Sequence, residues 1–180
     1  MSAAKVLVVD DDKMVRNIVY RALSDQYEVV AAENGLAGLE KAESEKPDFV
    51  LLDVEMPGMN GYEVCDKLKQ NPLTYDTPIL FLSSHGGLRE RMQGYEMGAS
   101  DYIVKPFETE ELMAKLKLLS QFKLDREELS KRAQSASETA FMAMRGSSEL
   151  GLAIQFIEAT YDADNFESIA QRFFEVTTRI

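Results

Sequence analysis

The sequence predicts an α/β protein with a doubly wound, five-stranded parallel sheet, followed by an all-α C-terminal extension. Apolar runs of about four to six residues recur along the first part of the chain, and each precedes a segment with helical periodicity. Turn signals such as Asn34-Gly35 and Pro57-Gly58 separate these segments. Most of the runs are almost continuously apolar, which is typical of strands that helices cover on both faces. Successive βα units favour right-handed crossovers with helices on both sides of the sheet.

Each element follows from its local pattern. The predicted strands cover residues 6–9, 27–31, 49–54, 79–82 and 102–104. The predicted helices cover about 14–24, 35–43, 61–71, 88–97 and 109 onward. A wide apolar stripe on the first helix suits packing on a sheet, and its members are Met14, Val15, Ile18, Val19, Ala22 and Leu23.

Length and composition restrict the function. With 180 residues, 45% of them hydrophobic, the chain can form one full domain with an appendage; we place these at 1–121 and 122–180. A net charge of −11 disfavours nucleic acids and anionic membranes as partners. No apolar run approaches the roughly 18 residues of a membrane span, and no secretion signal precedes Asp10. The single cysteine, Cys65, reads as a small buried hydrophobe in a reducing compartment, so we expect a cytoplasmic protein.

Three short motifs place polar side chains at one edge of the predicted sheet. VVDDD (8–12) ends the first strand, LLDV (51–54) ends the third, and IVKPF (103–107) ends the fifth. Ser83 follows the fourth strand. Because ligands of such sheets bind where the strands end, the candidate site residues are Asp10, Asp11, Asp53, Ser83 and Lys105.

These residue types suit phosphoryl transfer. Crowded carboxylates oppose one another's charge, and Mg²⁺ with Lys105 would offset that repulsion while neutralising phosphoryl oxygens. Taken singly, the acidic pair could be a helix cap and Lys105 an exposed lysine. Asp53 has no such explanation, because it ends a run that reads as buried, where an unpaired carboxylate costs several kcal/mol. The joint arrangement therefore favours a functional site.

Residues 4 to about 121 resemble the receiver domain of bacterial two-component response regulators. The resemblance rests on VLVVDDD (6–12), LLDVEMPGMNGYEV (51–64), Ser83 after ILFL, and GASDYIVKPF (98–107). It implies a flavodoxin-like sheet with strand order 2-1-3-4-5. It also implies a cytoplasmic switch, served by a sensor histidine kinase or a phosphotransfer protein, that only phosphorylates and dephosphorylates itself and is not otherwise an enzyme.

The same resemblance implies a role for each site residue. Asp53 is the expected phosphoacceptor. Asp11 would ligate Mg²⁺ directly, Asp10 would hold a metal-bound water, and the backbone carbonyl of Glu55 would complete the protein ligands. Ser83 and Lys105 would bind phosphoryl oxygens, Lys105-Pro106 would be a cis peptide, and Tyr102 would be the switch aromatic. Glu55 and His85 would flank the attacking water; for His85, an exposed polar loop residue is the favoured interpretation over a general base.

The C-terminal extension carries a repeat that alternates spacings of three and four residues, as in coiled coils. Its members are Leu119, Phe122, Arg126, Leu129, Ala133, Ala136, Ala140, Ala143, Ser147, Leu150, Ile154 and Ile157. A linker helix over about 123–145 is predicted, followed by two short helices. Gly146 and Gly151 suggest a break near residues 145–148, and Asp164 would cap a last helix. Residues 148–180 also resemble, weakly, the opening helices of a GAF-type domain, and this resemblance makes the extension a candidate for a truncated output or sensory domain.

Two arrangements of the extension remain open, a helix that pairs with a second copy and a hairpin that folds back on its own receiver; the first is favoured. An alanine seam permits close approach but buries little apolar surface. The leading function is a phosphorylation-dependent switch acting through the face of the fourth helix, fifth strand and fifth helix. The alternatives are a phosphate sink that hydrolyses its own acyl phosphate and a constitutive helical dimerisation module that carries a receiver.

Overall fold

The computed structural model describes the backbone of residues 3–161 and the side chains of residues 3–146. Five βα units follow one another, with strands β1 (Lys5–Val9), β2 (Glu28–Ala32), β3 (Phe49–Asp53), β4 (Ile79–Ser83) and β5 (Asp101–Val104). The helices are α1 (Lys13–Leu23), α2 (Gly35–Glu45), α3 (Gly61–Gln70), α4 (Leu88–Glu96) and α5 (Thr109–Tyr161). Each predicted strand and helix of the receiver is present, with ends displaced by one or two residues.

The strands form one parallel sheet in the order β2-β1-β3-β4-β5. This is the flavodoxin-like order that was expected from the resemblance. Strand side chains alternate between the two faces of the sheet, and each face has its own core. One core contains Leu7, Val9, Val50, Leu52 and Phe81 with α2 and α3 residues, whereas the other contains Val6, Val8, Phe49, Leu51 and Leu80 with α1 and α5 residues.

Side-chain caps start the helices that follow the functional edge of the sheet. The Asp12 carboxylate accepts a hydrogen bond from the Met14 N–H, and Asn60 forms a capping box with Glu63. Both caps satisfy main-chain donors that the first turn of a helix leaves unpaired. They fix where α1 and α3 begin, and therefore the loops that carry the acidic residues.

The apolar stripe predicted for α1 is wider than its buried face. Val19 and Leu23 are fully buried, but Met14 is 69% exposed and Ile18 is 47% exposed. A helix packed on a sheet buries only the strip of side chains that faces the sheet. Periodicity alone overestimated the width of the contact.

The extension differs from the sequence prediction at its middle. No break occurs near residues 145–148, because α5 is one continuous helix over Thr109–Tyr161. A glycine inside a helix costs only up to about 1 kcal/mol, and its neighbours here include several good helix formers. The last predicted helix, from Asp164, lies outside the described residues.

The chain divides into two units, Met1–Lys123 and Leu124–Ile180. In the first, α5 packs on the sheet through Leu112, Leu116 and Leu119. In the second, every side chain that is described, from residue 124 to 146, is exposed. Among the described residues, no helix combines the length and the apolar character needed to cross a membrane.

Candidate functional site

The carboxyl ends of β1, β3, β4 and β5 carry the candidate residues. Asp10 directly follows β1, Asp53 ends β3, Ser83 ends β4, and Lys105 follows β5. Parallel pairing sets their relative heights, because Asp53 lies beside Leu82 on β4 and Ser83 lies beside Val104 on β5. The Lys105-Pro106 peptide is cis, as expected.

Three carboxylates meet at this edge. Asp10, Asp11 and Asp53 each offer an oxygen, and these oxygens lie within 4.8 Å of one another. Asp10 is completely buried and Asp53 is 3% exposed, whereas Asp11 is open to solvent. A set of hard oxygen donors with one side open to water is what Mg²⁺ prefers, since this ion keeps several of its waters. The residues present therefore fit a magnesium ion.

Lys105 joins two of these carboxylates. Its Nζ lies 2.7 Å from Asp10 Oδ2 and 2.8 Å from Asp53 Oδ1, and its side chain is only 17% exposed. Hydrogen bonds between charged groups at this distance are the strong class. One ammonium group thus pairs with two buried carboxylates, so the site carries an excess of negative charge.

That imbalance appears in the acid–base properties. Burial raises the pKa of Asp53 above its ordinary value, with a further rise from Asp10, and the opposing effect of Lys105 does not cancel it. Burial alone would lower the pKa of Lys105, but Asp10 and Asp53 together raise it. Lys105 is therefore firmly cationic, and Asp53 is a carboxylate in a setting that opposes its charge.

Polar groups from two loops surround Asp53. The main chain of Glu55 acts against the rise in the pKa of Asp53. Ser83 is buried, and its hydroxyl accepts a hydrogen bond from the His85 N–H at 3.1 Å. His85 Nδ1 lies 3.1 Å from Glu55 Oε1, and both side chains are at least half exposed. The sequence placed His85 in an exposed loop, and the structure agrees, but its contact with Glu55 had no local signal because the two residues are on different loops.

Tyr102 lies inside the protein, next to the site. It is 6% exposed, and its hydroxyl donates to the main-chain carbonyl of His85. Its ring is 6.2 Å from that of Phe81, which is 5.2 Å from that of Tyr62. Burial raises the pKa of Tyr62 to about 12, and its hydroxyl donates to the Glu90 carbonyl on α4 at 3.3 Å. Tyr62 is a residue that the sequence analysis did not single out.

Arg16 is a second residue that the sequence analysis missed. Its Nη1 donates to the main-chain carbonyls of Asp10 and Asp11, at 2.6 and 2.9 Å. The available signal was its spacing, one helical turn after the Asp12 cap, which returns its side chain toward the acidic loop.

The structure thus brings Asp10, Asp11, Asp53 and Lys105 into one cluster. Ser83 and Tyr102 both contact the His85 main chain beside the cluster. The arrangement can hold a hard divalent cation and present a buried carboxylate next to a lysine.

Comparisons with known proteins agree with this geometry. Residues 6–117 match the family described as the response regulator receiver domain. The chain is 39% identical to response regulator PleD of Caulobacter vibrioides over 142 residues, which are 78% of this chain and 31% of PleD. It is 42% identical to response regulator MprA of Mycobacterium ulcerans over 128 residues, which are 70% of this chain and 54% of MprA.

A solved structure shows the same likeness. The chemotaxis protein CheY4 of Vibrio cholerae superposes with a TM-score of 0.63 at 35% identity, covering 66% of this chain and 99% of CheY4. The curated relatives are therefore longer than the segment they share with this chain, whereas CheY4 matches over nearly its whole length. The matching segment contains the strands, the acidic cluster and Lys105, and the chain belongs to the response regulator receiver domain family of two-component systems.

Proposed function

We propose that the protein accepts a phosphoryl group on Asp53 and passes the signal on by changing its protein contacts. The observation that carries the proposal is the buried Asp53 carboxylate, bonded to Lys105 and gathered with Asp10 and Asp11. Receiver domains of this family are switch domains that interact with histidine kinases or phosphotransfer proteins. The phosphoryl donor is accordingly a phosphohistidine of such a partner.

The transfer needs one bond to form and one to break. A carboxylate oxygen of Asp53 bonds to phosphorus while the phosphorus–nitrogen bond of the donor breaks. The electron pair of that bond stays on nitrogen, so a phosphohistidine protonated on its other ring nitrogen leaves as neutral imidazole. Lys105 and the Ser83 hydroxyl would bind the phosphoryl oxygens, where positive charge and donated hydrogen bonds stabilise the transition state. Water later returns the acyl phosphate to carboxylate and inorganic phosphate.

The acidic cluster would hold Mg²⁺. Asp11 and Asp53 would be direct ligands together with the backbone carbonyl of Glu55, and Asp10 would hold a metal-bound water. When bound, the ion would neutralise charge on the phosphoryl oxygens. It would also relieve the repulsion that the shared Lys105 leaves between Asp10 and Asp53.

Ser83 and Tyr102 would convert phosphorylation into a change of surface. A Ser83 hydroxyl drawn toward the phosphoryl group would give up its bond from the His85 N–H. Because the Tyr102 hydroxyl donates to the His85 carbonyl, movement of this loop reaches Tyr102 and then α4. The surface formed by α4, β5 and α5 exposes Leu88, Met92 and Tyr95, and this surface is the proposed output face.

Mass spectrometry after treatment with acetyl phosphate and Mg²⁺ tests the assignment. The protein should gain the mass of one phosphoryl group, and Asp53→Asn should abolish the gain. Asp25→Asn, which changes an exposed aspartate on the same domain, is the matched control and should be phosphorylated normally. A gain that persists in Asp53→Asn would overturn the proposal.

The extension is proposed to pair with the same segment of a second copy. The repeat of spacings three and four puts Leu129, Ala133, Ala136, Ala140 and Ala143 on one stripe of α5, and all of these side chains are exposed. A single helix of this kind has no core of its own, and a partner helix would supply one.

We further propose a cytoplasmic location, supported by the single unpaired Cys65, and we propose neither nucleic acid nor membrane as a partner.

A further inference from the structure

The loop between β1 and α1 is held by an arginine. Arg16 Nη1 donates to two consecutive main-chain carbonyls, those of Asp10 at 2.6 Å and Asp11 at 2.9 Å. The same loop is tied at two further points, since the Asp12 N–H donates to Asp10 Oδ1 at 2.9 Å and the Arg16 N–H donates to the Asp12 carbonyl at 3.1 Å.

Convergence of two consecutive carbonyls needs a specific bend. Along an extended strand, successive carbonyls point in opposite directions. For both to reach one guanidinium nitrogen, the chain must turn between Asp10 and Asp11, which brings two carbonyl dipoles together. A guanidinium offsets that repulsion with charge-assisted hydrogen bonds, and the two N–H bonds of its planar Nη1 group point in fixed directions, unlike those of a freely rotating ammonium.

The turn determines where the two carboxylates lie. With its carbonyl held by Arg16, Asp10 keeps a fully buried side chain in contact with Lys105, while Asp11 is exposed. Their oxygens nevertheless lie within 4.8 Å of each other and of Asp53. Arg16 bonds the main chain and none of these carboxylates, so it does not compete with a cation for their oxygens.

We propose that Arg16 is a positioning residue for the metal site: it locks the turn that places Asp11 to ligate Mg²⁺ and Asp10 to hold a metal-bound water. This proposal rests on the proposed function of the acidic cluster. It assigns Arg16 no contact with the phosphoryl group. Loss of Arg16 should therefore weaken Mg²⁺ binding and leave the rate of phosphorylation at saturating Mg²⁺ nearly intact.

Two variants distinguish position from charge. Arg16→Gln removes the charge, whereas Arg16→Lys keeps the charge and loses the planar Nη1 group that makes both hydrogen bonds. If Arg16 positions the loop, both variants bind Mg²⁺ more weakly, Arg16→Gln by about tenfold and Arg16→Lys by less, in the range known for residues that orient metal ligands. If Arg16 acted only as a charge near three acids, Arg16→Gln would bind Mg²⁺ more tightly and Arg16→Lys would be unchanged.

The measurements are calorimetric Mg²⁺ titration of the full chain, without any phosphodonor, and the Mg²⁺ dependence of phosphorylation by acetyl phosphate. Arg21→Gln, in the last turn of the same helix, is the matched control and should behave as wild type. Weaker binding with a plateau rate within about twofold of wild type supports the proposal. Unchanged or tighter binding, or a lower plateau rate at unchanged Mg²⁺ affinity, overturns it. A wild-type chain that neither binds Mg²⁺ nor gains phosphate would instead overturn the proposed function.

Discussion

At the scale of single residues, Asp53 is a carboxylate whose environment opposes its charged form. It is buried, it lies near Asp10, and it shares one ammonium with that second acid. Sites that carry chemistry commonly contain groups held in such unfavourable states. The free-energy cost of this charge to the folded protein can be measured without any phosphoryl transfer.

Asp53→Asn should increase the free energy of unfolding at pH 7 by about 1 kcal/mol, because it removes a buried charge that the site disfavours while Lys105 keeps its bond to Asp10. Since the folded-state pKa of Asp53 is raised, its favourable contribution is present below the ordinary value of 3.8 and is lost as pH rises through the folded-state pKa. The gain from Asn should therefore shrink toward pH 4. Urea unfolding in buffer with a magnesium chelator measures it, Asp25→Asn is the control, and a loss of stability at pH 7 would contradict the argument.

At the scale of elements, α5 is attached to the sheet at a definite point. Lys123 Nζ lies 2.5 Å from Asp48 Oδ1 and 5.8 Å from the centre of the Phe49 ring, and Asp48 Oδ2 accepts from the Lys5 N–H at 2.9 Å. Beyond Lys123, every described side chain of the helix is exposed. The ion pair thus marks where packing on the receiver ends.

Asp48→Asn should lower the free energy of unfolding at pH 7 by up to about 1 kcal/mol, the range of a partly exposed ion pair. Burial opposes ionisation of Asp48, but hydrogen bonds from Lys123 and the Lys5 main chain bring its pKa below 3.8. The stabilisation is present above 3.8 and is lost as pH falls through the folded-state pKa. Denaturation at pH 7 and at about pH 3 tests this, with exposed Asp125 changed to Asn as control; an equal loss at both pH values would exclude the ion pair as its cause.

The continuity of α5 past Gly146 leads to a second prediction at this scale. A Cβ at Gly146 would meet nothing within 4 Å, so Gly146→Ala should stabilise the helix by up to about 1 kcal/mol through lower backbone entropy in the unfolded chain. Circular dichroism should show a higher helix content or a higher melting temperature of the helix. Gly58→Ala is the contrasting control, because Gly58 has φ of +82° and alanine is strained there. Lower helicity in Gly146→Ala than in the wild type would contradict a continuous α5 at this position.

At the scale of the whole molecule, the proposed switch and the proposed pairing of α5 are separate properties. The receiver has two complete cores of its own. The described part of the extension has exposed side chains and a regular stripe. A change in the stripe should therefore alter association and leave the phosphorylation site unaffected.

Ala136→Glu should convert a dimer to a monomer. It would place two glutamates, one from each helix, in the seam, where they lose solvation and repel each other. Ser135→Glu, one position along the same helix and off the stripe, adds the same charge and should leave the mass unchanged. Sedimentation equilibrium of the full chain measures this, and phosphorylation of Asp53 should be equal in both variants. A wild-type chain that sediments as a monomer would contradict the proposal that the stripe is a dimer contact.

Local pattern was sufficient for most of the fold. Buried apolar runs, helical periodicity and turn pairs located every receiver element to within one or two residues, because side-chain alternation and helix capping act over a few residues. The site edge was predictable for the same reason: the strands of a parallel sheet end at one edge, so the motifs at Asp10, Asp53 and Lys105 had to lie along that edge, and their contact depends on the strand order. The resemblance to receiver domains supplied the expected strand order.

The sequence by itself thus determined the strands, the helices and the edge at which the acids and the lysine gather. Only the tertiary structure decided which face of α1 is buried, and Met14 and Ile18 are exposed. It also decided whether Gly146 and Gly151 end α5, and they do not. It also decided the contacts of Arg16 with two carbonyls, of His85 with Glu55, and of Tyr62 with α4. The physical reason is that periodicity and propensity act between neighbours in the chain, whereas these contacts depend on the angles at which loops and helices meet.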